Sequence, residues 1–214
     1  MNMFKFRFNK SDKLTGQIFK FIIILPVLLL FLILPFQAVA DGNDNNGNNT
    51  SMEEICAQAL VNLKIMMGDE NGNLKLGNDI TRCEFITLVN RMMAYEYEDE
   101  DETGMAQVKV PFTDITEKHW AYKNILIALK HTLIKGYTDN TIRPDNKISF
   151  IEAKAVILRA FGYDEVNGKW PDSIIEKSKD IGLNKNLNIP EDKLITRGEA
   201  AILIYNALTV NFIK

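Results

Sequence analysis

The stretch ITRCE (residues 80–84) returns as ITRGE (195–199), and a blurred third copy, ISFIE (148–152), lies between them. Aligned on Glu84, Glu152 and Glu199, the three copies run on in the same phase. Phe85, Ala153 and Ala200 come first, then Leu88, Val156 and Leu203, then Val89, Ile157 and Ile204, and finally Met92, Ala160 and Ala207. That spacing is the apolar stripe of an amphipathic helix, written three times. Thr81, Ser149 or Thr196 precedes each stripe, with glutamate three residues later. In such a capping box the hydroxyl accepts from the N3 amide while the glutamate reaches back to the N-cap amide. The repeated motif therefore reads as a helix start.

Each capped helix follows a shorter apolar segment and a polar turn. The middle unit is the fullest: His119 to about His131 reads as a first helix with Trp120, Ile125 and Leu129 inward, followed by turn residues Gly136-Tyr137-Thr138-Asp139-Asn140. Gly68 lies as far before Ile80 as Gly136 lies before Ile148, while the third unit has a shorter turn. None of these helix–loop–helix units can bury its own face alone, so an all-α fold with one shared core is expected.

The first forty residues stand apart. Lys5, Arg7, Lys10, Lys13 and Lys20 precede an uncharged run, Phe21 to Phe36, and Ala38-Val39-Ala40 comes just before Asp41. A basic start, an apolar middle and an A-x-A end make a secretory signal peptide; the alternative is a membrane anchor, for which the run is slightly short. With cleavage expected before Asp41, Lys+Arg falls from 25 to 20 and Asp+Glu from 28 to 27, so the charge moves from −3 to −7. That acidity argues against nucleic acid, whose binding needs basic patches. Residues 41–51 read as a flexible polar leader and 96–111 as a solvated acidic linker. The expected units are 52–95, 112–163 and 164–214. Cys56 and Cys83 are the only cysteines; export permits a disulfide, and their apolar helical positions equally suit buried free thiols.

Phe112-x-Asp114, His119-Trp120-Ala121-Tyr122, Ile134-Lys135-Gly136-Tyr137, Ile142-Arg143-Pro144-Asp145 and the I-T-R-x-E signature resemble the S-layer homology domain family. The resemblance spans about Met52 to Leu208 as three tandem repeats, strongest in the middle one. It implies a three-pronged helical pseudo-trimer around a central bundle. It also implies non-covalent attachment of an exported protein to a Gram-positive-type envelope, through pyruvylated secondary cell wall polysaccharide held in grooves between prongs.

The residue chemistry is compatible with that role. Arg82 and Arg197 sit in the first turn of capped helices, where free amides and the dipole favour an anion, and a guanidinium adds a planar fork for a carboxylate. They are the main candidates for carbohydrate binding. The alternative is that they bridge to acids on a neighbouring prong. Trp120 is a further candidate through stacking on a sugar, against a place in the core, and Lys135 and Gly136 are candidates at the turn, where the glycine also suits positive φ. In the middle copy Phe150 replaces the arginine, so one or two working grooves are expected rather than three.

Other chemistries find little support. Asp69, Asn71 and Asn73 imitate a calcium loop, but Leu74 and Ile80 stand where glycine and the bidentate acid belong. No metal site or cofactor is expected. No catalytic motif is present, and the repeats use up the chain beyond the leader, so no enzyme is expected. Two functions remain: a wall-polysaccharide anchor, with other surface-layer proteins as further partners, or an exported helical scaffold for another surface protein.

Overall fold

The computed structural model describes residues 50–97, 109–163 and 169–210. The signal segment, most of the leader and residues 98–108 of the acidic linker lie outside the described residues. The described chain is all-α. Its helices are α1 (Met52–Asn62), α2 (Arg82–Met92), α3 (Tyr122–Lys130), α4 (Phe150–Ala160), α5 (Asp172–Asp180) and α6 (Arg197–Thr209), with a 3₁₀ turn at Tyr95–Tyr97. No described helix is long and apolar enough to cross a membrane.

The three repeated motifs all open helices. Thr81 caps α2 and Thr196 caps α6, each accepting from the glutamate amide, and Glu84 and Glu199 return Oε2 to the N-cap amide. At α4, Glu152 Oε2 accepts from both the Ser149 amide and hydroxyl at 3.0 Å. A fourth box, Ser51 with Glu54, opens α1. The first helices stop alike: Lys64, Thr132 and Gly182 have left-handed φ of 60°, 55° and 77°, the conformation that ends a helix at its C-terminal cap.

How the units pack follows from the segments that precede these caps. The Ile80 amide donates to the Ile195 carbonyl, Ile195 to Ile148, and Ile148 to Ile80, at 3.0–3.2 Å. Single antiparallel bridges flank this triangle, Asp79 with Thr196, Lys147 with Thr81, and Leu194 with Ser149. All three isoleucines are fully buried. The motif's isoleucine thus closes a cycle of backbone bonds, and α2, α4 and α6 pack against one another around it. α3 packs on α2 and α5 on α4, each on the capped helix of the preceding unit, while α1 of the first unit packs on α6 of the last. One continuous apolar core runs through these contacts, with a smaller cluster of Ile151, Ala155, Leu158 and Ile174 between α4 and α5.

Two local readings need correction. Trp120 is not inward: the helix begins at Tyr122, two residues past it, and its side chain is 59% exposed, as Trp170 is at 55% ahead of α5. The Ala121 amide donates to His119 Nδ1 and the His119 amide to the Thr116 carbonyl, so 116–121 is a turn that shifts the helical phase. Gly136 is absent from the positive-φ positions; instead a Cβ there would lie 2.2 Å from the Phe112 ring. Cys56 and Cys83 are both buried free thiols, and burial pushes Cys83 up to about 12.

Candidate functional site: the seams between units

The first-turn amides predicted to be open are occupied. Those of Arg82 and Cys83 donate to the Asn146 and Pro144 carbonyls, those of Arg197 and Gly198 to Asn78 and Leu76, and those of Phe150 and Ile151 to Lys193 and Glu191. With the N3 amides given to the caps of α2 and α6, the helix starts serve as seams between units. Any anion site here depends on side chains.

At each seam the motif's arginine and glutamate are complementary halves. Arg82 crosses from α2 to the middle unit, donating from Nε to the Ile142 carbonyl at 2.9 Å and from Nη1 to Glu152 Oε1 at 3.1 Å. Arg197 makes the equivalent contacts to the first unit: Nε to the Leu74 carbonyl at 2.8 Å, Nη1 to Glu84 Oε1 at 3.4 Å, and Nη2 to the Met67 carbonyl at 3.2 Å. One glutamate oxygen therefore completes its own helix cap while the other takes a cation from the next unit. The third seam lacks the arginine. There Lys193 pairs with Glu199, and Lys154 lies 4.3 Å over the Phe150 ring and 2.7 Å from the Glu191 carboxylate.

The surroundings of the two arginine seams differ. At the Arg82 seam Tyr137 donates its hydroxyl to Glu152 Oε1 at 2.7 Å, and the Arg143 guanidinium lies 3.9 Å over the Tyr137 ring. Arg82 beneath is only 6% exposed. Asp114 secures this turn by accepting the Ile142 and Arg143 amides at 2.9 and 2.7 Å. Burial works against charge on Glu152, but the Ser149 amide, Tyr137 and Arg82 outweigh it and hold its pKa below the ordinary value. The native state then binds fewer protons than the unfolded chain in that range, so this contribution is present above the ordinary carboxylate pKa and fades as pH falls through the depressed one. Chemical denaturation between about pH 3 and 7 should show that slope, and Glu152→Gln should flatten it. An unchanged slope in the variant would refute the assignment.

At the Arg197 seam Asp69 stands where Tyr137 stands in the middle unit, and a cavity of about 660 Å³ opens beside Arg197 and Glu84. Met67, Gly68, Lys75, Asp79 and Lys147 also line it. A Cβ on Gly68 would lie 2.5 Å from Gly72 backbone atoms, so the wall closes tightly only with glycine there. Asp69 accepts the Asn71 and Asn73 amides on Oδ1 and pairs with Lys75 at 3.0 Å, the work of a turn rather than of a metal loop.

Of the candidate residues, the structure brings only Arg197 to the cavity. Arg82, Lys135 and Gly136 belong to the middle seam, since Lys135-Gly136 matches Met67-Gly68, and Trp120 lies outside on the turn before α3. Sequence reasoning missed Glu84 and Glu152 as acceptors, and also Tyr137, Arg143 and Lys147. The glutamates carried a signal, for a capping box leaves one carboxylate oxygen unspent.

The family model of the S-layer homology domain matches residues 111–154, and the chain carries such a domain over that segment. The chain is similar to a cell surface protein of Thermoanaerobacter kivui, 34% identical over 145 residues, which cover 67% of this chain and 18% of that protein. A middle cell wall protein of Brevibacillus brevis is 30% identical over 162 residues, 75% of this chain and 15% of the relative. A cellulosome-anchoring protein of Acetivibrio thermocellus is 35% identical over 101 residues, 47% of this chain and 22% of that protein. The chain thus spans less than a quarter of the length of each of these relatives.

Proposed function

We propose that this chain attaches non-covalently to the cell wall by holding an anionic secondary cell wall polysaccharide, with a pyruvate ketal as the expected anion. Cell wall anchoring at the surface has the support of the S-layer homology domain and of the surface-layer and anchoring relatives. The observation that carries the ligand reading is the cavity at Arg197, large enough for a sugar and edged by the cations Arg197, Lys75 and Lys147 beside the carboxylates Asp69, Asp79 and Glu84. A ketal carboxylate matches the guanidinium fork better than a hydroxyl would. The loose 3.4 Å contact to Glu84 leaves Arg197 able to share its charge. Arg82, Lys135, Gly136 and Trp120 form a lesser second surface in this proposal, because Arg82 is buried and already bonded.

A scaffold for another surface protein is the second reading. It rests on the exposed Met52, Ile55, Leu63 and Met67, along α1 and just after it. Co-sedimentation with purified walls separates the two. Binding should fall at least about tenfold when non-peptidoglycan polymer is stripped and in Arg197→Ala, whose folding is checked by its melting curve. Retention on stripped walls by both proteins would refute polysaccharide binding and favour the scaffold.

A further inference from the structure

The cavity at Arg197 is built by all three units, and the middle unit's contribution separates it from the other two seams. The residue two places before each N-cap is Asp79, Lys147 or Leu194. Through the antiparallel bridges each of these positions pairs with the N-cap residue of a neighbouring unit. Lys147 comes to the seam of Arg197 and Glu84, where its Nζ donates to the Asp79 carbonyl at 2.8 Å. By the same cycle the Leu194 position falls at the seam of Arg82, whereas Asp79 lines the Arg197 cavity itself. The two arginine seams therefore differ at this position, lysine beside Arg197 and leucine beside Arg82.

Within the cavity the charges are unequally engaged. Lys75 is held by Asp69 at 3.0 Å and Arg197 by Glu84 at 3.4 Å. Lys147 is exposed and, among the described residues, has no carboxylate within ion-pair distance; a neutral carbonyl is its partner. An ammonium that is positioned but not neutralised can take up an anion without first breaking an ion pair. Arg197 and Lys75 must each share or surrender one.

We infer that Lys147 is the principal charge contact for the anionic substituent of the bound polymer, and that the groove it shares with Arg197 is the one tight site of the chain. This rests on the polysaccharide reading above and specifies the site within it. Two wall substituents offer the chemistry, a ketal carboxylate and a phosphodiester. Among the described residues Asp79 is the acid of this cavity without a cation partner, so its charge opposes such a ligand.

The test is calorimetric titration of the exported chain and its variants with isolated wall polysaccharide. Lys147→Gln should weaken binding about tenfold and make it less salt-dependent, Asp79→Asn should strengthen it, and Leu194→Gln should leave it unchanged. The wild type should show one tight site per chain. Mild-acid removal of ketals or hydrofluoric-acid cleavage of phosphodiesters should abolish binding, and whichever does so names the anion. Wild-type affinity in Lys147→Gln, with binding lost in Arg197→Ala, would overturn this inference and leave the polysaccharide reading standing. Two equally tight sites would overturn it likewise. No binding by the wild type, or binding indifferent to both chemical treatments and to every substitution, would bring down the reading itself.

Discussion

Writing the motif in full at the third seam, by Phe150→Arg, is expected to destabilise the protein by about 3–5 kcal/mol, the scale of losing a buried phenylalanine. Phe150 is 1% exposed, and the Lys154 ammonium lies over its ring. A guanidinium placed there would be buried beside a like charge whose acid partner, Glu191, is already engaged. The arginine does have a natural acceptor in Glu199, but Lys193 occupies it. Thermal unfolding followed by circular dichroism should show a melting point lower by more than about 6 °C. A melting point unchanged within about 2 °C would mean that the seam can re-form around arginine.

Arg82→Ala should cost about 3 kcal/mol, because it removes one partner of a largely buried pair and strands the others. Glu152 Oε1 would keep the Tyr137 hydroxyl but lose its cation, and the Ile142 carbonyl would lose the Nε donor. The double variant Arg82→Met with Glu152→Gln should recover much of the loss, since neither charge is then left alone. Urea unfolding of the three proteins measures both effects. A loss below about 1 kcal/mol for Arg82→Ala would show the contact to be no more than a surface ion pair.

Much of the fold was legible because its signals are local. The hydroxyl–glutamate spacing and the phase of the apolar stripe fall within a few residues of Thr81, Ser149 and Thr196, and each marks a helix start. That the arginines bridge to acids of a neighbouring unit stood as the alternative reading, and the structure bears it out. Which acids they meet was not legible, because they lie in another unit. Arg82 meets a glutamate 70 residues away and Arg197 one 113 residues back. For the same reason the first-turn amides read as open, when carbonyls of the neighbouring unit take them. Trp120 was misplaced by a turn, since the bonds that delay the helix start run from backbone to the His119 side chain and carry no periodicity. The lost arginine at Phe150 was visible at once, but its replacements, Lys154 and Lys193, lie outside the motif.

The packing of α1 on α6 has a consequence for how this protein comes apart. Linear repeat arrays lose structure from their ends, and their terminal units need special polar caps. Among the described helices the first covers the last, so this set has no end unit from which fraying can begin. A fragment cut at the boundaries of one sequence repeat would carry two helices that scarcely touch and leave their true partners behind. The smallest piece with a complete core is then the whole set of helices, and its stability is gained or lost in a single step.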